Sequence, residues 1–235
     1  MPARGHARRA RALLAYFVAL SPLSHAVFIS FEGLDGSGKS TQAGLLAAAL
    51  RAEGHDVLLL REPGGTALGE RVRAFLLGPE APRSARAELF LFCAARAELT
   101  ETVIRPALAR GAVVIADRFV DSTTAYQGAG RGLGDEATFA ALHDLATQGC
   151  LPQRTFLLEL SVTEAMARCQ ARGEKDCIEH AGAAFFEAVR ARYRALAQAH
   201  PERIVPLKAT LAPEALHACI LARVRPLLSA PATVS

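Results

Sequence analysis

The sequence predicts a three-layer α/β fold: a five-stranded parallel sheet flanked by helices, with a short lid. Three observations lead there. Val27 to Gln42, VFISFEGLDGSGKSTQ, joins an apolar run rich in β-branched and aromatic residues to a glycine-punctuated turn and the start of a helix. Ala112 to Arg118, AVVIADR, is a second apolar run, closed by a carboxylate. Around these two, runs of strand length alternate with helical patterns, as expected of βαβ units with right-handed crossovers.

Val27, Phe28, Ile29 and Phe31 form the first predicted strand. The next residues, Gly33-Leu34-Asp35-Gly36-Ser37-Gly38-Lys39-Ser40, fit G-x-x-x-x-G-K-[ST]. Glycines in such a loop let backbone N–H groups turn inward onto phosphate oxygens with no Cβ in the way. Lys39 is then placed to reach the β- and γ-phosphates of a nucleotide, and Ser40 to hold Mg²⁺. Thr41 continues into a helix whose unpaired N–H groups and positive dipole end favour a polyanion. That helix reaches Glu53 and stops at Gly54.

Asp56 to Leu60 reads as a buried strand. Arg61-Glu62-Pro63-Gly64-Gly65-Thr66 follows it as a loop at a carboxyl strand edge, where parallel sheets bind ligands. A short helix spans Gly69 to Leu77. A longer helical segment runs from about Ser84 to Arg110, with a kink or register change expected at Pro106. Phe92 and Arg96 are four residues apart within it, so a ring and a guanidinium share a face and can meet one planar ligand. The apolar run ending at Asp117 is a strand whose carboxylate faces the Mg²⁺ site, with Arg118 beside it to bind phosphoryl oxygens in a fork. Phe119 to Gly134 is glycine-rich and polar and reads as a loop. A helix from Asp135 to Thr147, a strand over Arg154–Leu160, a helix N-capped by Thr163, a strand over Ile204–Leu207 and a helix from Ala212 to Leu228 complete the chain. Arg168, Arg172 and Lys175 lie in a charged stretch broken by Gly173, which reads as the lid at about residues 168–180.

Composition narrows the class. The chain has 235 residues, 51% hydrophobic and 21% charged, which fits an ordinary globular α/β protein and excludes fibrous or disordered classes. A net charge of +4 suits an anionic small molecule as well as nucleic acid and does not choose between them. Five cysteines without a C-x-x-C pair argue against a disulfide framework or a zinc site and for a reducing compartment. Residues 1–26 combine an Arg-rich start with an apolar run too short to span a membrane. The favoured reading is an upstream start with Val27 as a true initiator, ahead of a mobile appendage and of an export signal. The predicted domain is then 27–229, with a tail at 230–235.

Taken in order, FEGLDGSGKSTQ, REPGGT, LFLFCAAR, IADRFVDSTTAYQG and ARGEKD resemble the bacterial thymidylate kinases from Val27 onward. The resemblance implies a P-loop NTPase fold and transfer of a phosphoryl group from ATP to dTMP with Mg²⁺. It also implies a cytoplasmic homodimer that binds neither nucleic acid nor membrane. Phe92 would stack on thymine, and Arg96, Thr123 and Gln127 would bond its edge. Arg61 and Pro63 would line the dTMP pocket, Arg118 would bind the dTMP phosphate, and Phe119 would crowd the sugar on its 2′ side. Asp35 would meet the 3′-OH side of the sugar or the metal network. The phosphate loop has no arginine at Gly36 or Ser37, so the catalytic charge is expected from the lid, from Arg172 with Arg168 in support.

Relatives with such lids carry further arginines where this chain has Gln170 and Cys177. Lys175 restores charge without the planar fork that suits phosphoryl oxygens. A UMP- or CMP-type kinase, and a nucleotide-binding module with impaired catalysis, are the alternatives. A regulatory GTPase is disfavoured, because its N-K-x-D base-reading loop needs an asparagine and the chain has none.

Overall fold

The structure, a computed structural model, describes residues 26–78, 84–173 and 182–229. Its five strands are β1 (Val27–Glu32), β2 (Val57–Arg61), β3 (Val113–Asp117), β4 (Arg154–Glu159) and β5 (Ile204–Lys208). They form one parallel sheet in the order β2-β3-β1-β4-β5. The helices between them are α1 (Lys39–Ala52), α2 (Ala67–Leu77), α3 (Ala85–Leu99), α4 (Arg105–Ala109), α5 (Val120–Thr123), α6 (Glu136–Thr147), α7 (Val162–Ala171), α8 (Gly182–Ala199) and α9 (Pro213–Ser229).

The central strands are apolar on both faces because both faces are covered. Val27, Ile29 and Phe31 of β1, with Val113 and Ile115 of β3, pack with Leu46 and Leu50 of α1 and with Val189 and Ile220 of α8 and α9. The intervening residues Phe28, Val114 and Ala116 pack instead with Leu99, Ile104, Ala107 and Phe119. This alternation fixes register, since a slip of one residue would exchange the two faces. Phe31 therefore stands beside Asp117, and the exits of β1 and β3 lie together.

Two expectations are corrected and a third is borne out. Phe119–Gly134 is not a loop: α5 leads into a π-helical segment, Thr124–Gly130, with Thr123, Thr124, Ala125 and Gln127 buried. Its glycines serve close packing. A Cβ on Gly130 would stand 2.5 Å from the Phe185 ring, and one on Gly128 would stand 3.2 Å from Phe139. The N-cap of α7 is Ser161, not Thr163; Ser161 and Glu164 form a reciprocal capping box that satisfies two backbone donors. The long helix before β3 does change register near Pro106, as a π-helical turn at Thr100–Ile104 between α3 and α4. Lys175 and Cys177 of the expected lid lie outside the described residues, as do residues 1–25 and 230–235.

Candidate active site

The loop after β1 turns on glycines. Gly33, Gly36 and Gly38 have φ of 138°, 82° and 89°, which L side chains rarely adopt. A Cβ on Gly33 would also stand 2.5 Å from the Leu158 carbonyl of β4. Gly36 touches α7: a Cβ there would meet the Ala165 carbonyl at 2.7 Å. Gly38 is the N-cap of α1, which has no side-chain cap; its first N–H groups are the kind of donors that bind anions.

Lys39 folds back into this turn. Its Nζ donates to the Leu34 carbonyl at 2.8 Å and lies 3.9 Å from Asp35 Oδ1. Burial and the nearby Arg118 charge lower its pKa to about 8. Ser40 Oγ donates to Asp117 Oδ2 at 2.5 Å, so the loop hydroxyl and the carboxylate ending β3 meet across 77 residues of sequence.

Arg118 is where the loop, β3 and the π-helical segment converge. Its φ of 73° is unusual for a residue with a side chain. Its Nη2 donates to Asp35 Oδ1 at 2.6 Å and to Tyr126 OH at 3.2 Å. Its Nη1 donates to Ser122 Oγ at 2.9 Å, the Gly33 carbonyl at 3.2 Å and Tyr193 OH at 3.4 Å. The guanidinium lies 4.9 Å from the centre of the Tyr126 ring. Burial opposes the charge on Asp35, but Arg118 and Lys39 overcome it and hold the carboxyl well below its ordinary range.

A second cluster lies along one face of α3, where Glu88, Phe92 and Arg96 recur at intervals of four. Arg96 is not on a solvated face. It is 2% exposed and donates twice to Glu62 Oε2, from Nε at 2.9 Å and Nη2 at 2.6 Å, and once to the Phe119 carbonyl at 3.1 Å. Arg96 Nη1 and Glu62 Oε1 are buried without a hydrogen-bond partner. Burial raises the Glu62 pKa, against the pull of Arg96. Phe92 is half-buried, and Gln127 Nε2 donates to Glu88 Oε1 at 2.9 Å. Thr123 is 1% exposed.

The remaining expected residues fall nearby or behind. Pro63 is buried, and its carbonyl accepts from Arg73; Arg61 is exposed and pairs with Glu70 at 3.2 Å. The Phe119 ring has no accessible surface: it meets Phe28 edge-on and lies beneath the Arg96 guanidinium at 5.3 Å. Arg168 donates to the Gly36 carbonyl at 3.4 Å and the Ala209 carbonyl at 3.0 Å, which brings the end of α7 against the loop. Arg172 caps α7 and is exposed.

Sequence reasoning missed Glu32, Glu62, Glu88, Ser122, Tyr126 and Tyr193. Glu32 had a readable signal, since it closes an apolar strand with a carboxylate as Asp117 does. Tyr193 had none, being one aromatic among the apolar positions of a long helix 161 residues from its partner Glu32.

Comparisons with known proteins agree on one family. A family model described as thymidylate kinase matches residues 31–220. A thymidylate kinase of Chlorobium chlorochromatii is 47% identical over 84% of this chain and 94% of its own. One from Pseudomonas fluorescens is 53% identical, over 76% of this chain and 85% of its own. The crystal structure of thymidylate kinase from Ehrlichia chaffeensis aligns with a TM-score of 0.69 at 34% identity, covering 85% of this chain and 98% of that one.

Proposed function

The chain belongs to the thymidylate kinase family, whose members phosphorylate dTMP, and on that premise we propose that it uses ATP with Mg²⁺ and the residues of the β1–β3 crevice for this transfer. An oxygen of the dTMP phosphate attacks the γ-phosphorus in line as the bond to the β–γ bridging oxygen breaks, giving dTDP and ADP. That nucleophile is already anionic, so the step calls for positioning and charge neutralisation rather than a general base. The supporting observation is that Arg118 springs from the strand beside the loop and touches the loop at both Gly33 and Asp35.

Backbone groups of Gly33–Thr41 cradle the ATP phosphates, with Lys39 neutralising their charge. Ser40 and Asp117 are hard oxygen donors already in contact, a pair that suits an ion held mainly by phosphates and water. Ser40 and Asp117 would hold Mg²⁺, which would supply Lewis-acid charge to the transfer. Arg118 binds the dTMP phosphate and Asp35 the sugar side. Arg172, with Arg168, brings charge to the transferring group from the end of α7.

Phe92 stacks on thymine. Arg96 offers its unpartnered Nη1 to the base edge, joined by Gln127 and Thr123, while Arg61 and Pro63 line the rim. Phe119, wholly buried, backs Arg96 rather than lining a wall.

A homodimer is also proposed, from apolar side chains exposed on α2, α3 and α6: Leu68, Phe75, Leu77, Phe90 and Leu145. Sedimentation as a monomer at micromolar concentration would refute it. Among the described residues no helix is long and apolar enough to cross a membrane, and the proposed setting is the cytoplasm, where both nucleotides are found. The substrate test is coupled ADP release with dTMP, dUMP, UMP and CMP in parallel. Preference for dTMP is expected, and equal rates with UMP or CMP would overturn the assignment.

A further inference from the structure

Glu32 ends β1 one residue before the phosphate loop, has no accessible surface, and takes no part in the chemistry above. Three donors converge on it. Phe119 N–H reaches Oε1 at 2.7 Å, while the hydroxyls of Ser122 and Tyr193 reach Oε2 at 2.5 and 2.9 Å. The same two hydroxyl oxygens accept from Arg118 Nη1. An ionised carboxylate only accepts, so both hydroxyl hydrogens turn toward Glu32 and their lone pairs turn toward the guanidinium. A glutamine could not impose this direction, because its NH₂ would itself donate to a hydroxyl. The Phe119 bond also holds the peptide that follows Arg118, whose positive φ needs an external restraint.

We propose that Glu32 is a positioning residue that aims the Arg118 guanidinium at the substrate phosphate, acting through Ser122, Tyr193 and the Phe119 amide. The inference rests on the reading of Arg118 as the ligand of the dTMP phosphate.

Counting hydrogens gives the device a pH dependence. Glu32 Oε2, Ser122 Oγ and Tyr193 OH form a triangle whose third side, Ser122 to Tyr193, is 2.9 Å. Two hydroxyl hydrogens serve its three sides. Protonating Glu32 supplies a third, the ring closes on itself, and each hydroxyl oxygen spends one of its two lone pairs inside it, which weakens what it offers Arg118. Burial, followed by the charge of Asp121, raises the Glu32 pKa to about 7, against the Ser122 hydrogen bond, Arg118 and the Phe119 amide. Asp121 is itself held by Arg203 at 2.7 Å, and Lys39, Tyr126 and Tyr193 complete the titratable surroundings of Glu32. Anchoring of Arg118 thus strengthens as pH rises through neutrality.

The test is a double-mutant cycle on the full chain, with kcat and KM for dTMP measured from about pH 5.5 to 9 for wild type, E32Q, R118A and the double variant. E32Q is expected to lower kcat/KM for dTMP about tenfold or more, to lose the rising limb near neutrality, and to add nothing once Arg118 is gone. Equal losses from E32Q in both backgrounds, or an unchanged limb in E32Q, would overturn the proposal while leaving the role of Arg118 intact. Unchanged dTMP kinetics in R118A would overturn that parent role and this inference with it. Thermal melts establish folding, and if E32Q fails to fold, S122A and Y193F carry the same cycle with the same expected non-additivity.

Discussion

Arg96, buried, and Arg118, partly buried, are both guanidinium groups laid over an aromatic ring, yet their charges are answered in different ways. Arg96 sits on a regular helix and spends Nε and Nη2 on one oxygen of one carboxylate, Glu62. Arg118 leaves a strand at positive φ and is answered by Asp35, by hydroxyls and by a loop carbonyl. The first arrangement is a buried ion pair, which folding must assemble. The second distributes a cation over neutral acceptors around one carboxylate, leaving charge available to an incoming phosphate. Substitution should therefore separate the two by stability, with a small loss at Arg118 and a large one at Arg96.

The largest effect is expected from Arg118→Ala. Steady-state kinetics should show kcat/KM for dTMP reduced about 10³-fold or more, the scale of an arginine acting on a transferring phosphoryl group. Asp35, the carboxylate left behind, is partly exposed and can be solvated, so the melting temperature should fall only modestly. A large stability loss with little kinetic change would reverse the contrast.

Arg96→Met should weaken dTMP binding through the lost Nη1 and, unlike Arg118→Ala, cost much stability. It strands Glu62, which is 5% exposed, without a counterion, and denaturant unfolding should show a loss of about 3–5 kcal/mol. Adding Glu62→Met should recover much of that loss, since a buried pair replaced by apolar groups is often nearly neutral. Failure of the second substitution to recover stability would mean that Arg96 matters through Phe119 rather than through Glu62.

Arg172→Ala tests whether a third, exposed arginine at the end of α7 shares the work of Arg118. Turnover should fall at least about 10²-fold with no change in stability. Turnover within a few fold of wild type would leave Arg118 as the principal cation of the transfer.

The same contrast explains what could be read beforehand. The strands and layers follow from apolar runs and their spacing, so Asp117, Ser40 and Lys39 were legible, each at a fixed offset from a strand end or a glycine, whereas the strand order was not. Arg96 was legible as a candidate from its four-residue spacing to Phe92, but not as a buried residue, because its partner Glu62 comes from a loop 34 residues upstream. The π-helical segment was misread because its glycines suit turns as well as they suit close helix packing, and only the Phe185 and Phe139 rings decide between the two. Glu32 ends its strand as Asp117 does. What separates them is the company each meets, Ser40 for one and the Tyr193 hydroxyl for the other, and pairing across 161 residues has no local signature.

The smallest expected effect concerns the carboxylate behind Arg118. The native pKa of Glu32 is raised to about 7 from an ordinary 4.5, so between those values the native state binds more protons than the unfolded chain. Its contribution to stability is therefore fully present below about pH 4.5 and is lost as pH rises through 7. Asp35 has the opposite sign, but its window lies below its ordinary 3.8 and does not overlap. Glu62 shares the sign of Glu32, so the slope of wild-type stability alone does not identify the residue. The difference between wild type and Glu32→Gln does: urea midpoints measured from about pH 5 to 8 should converge or cross as pH rises, with a differential slope no steeper than about 1.4 kcal/mol per pH unit. Parallel curves would mean that the hydroxyls of Ser122 and Tyr193 keep Glu32 ionised throughout, and Arg118 would then be held equally firmly across that range.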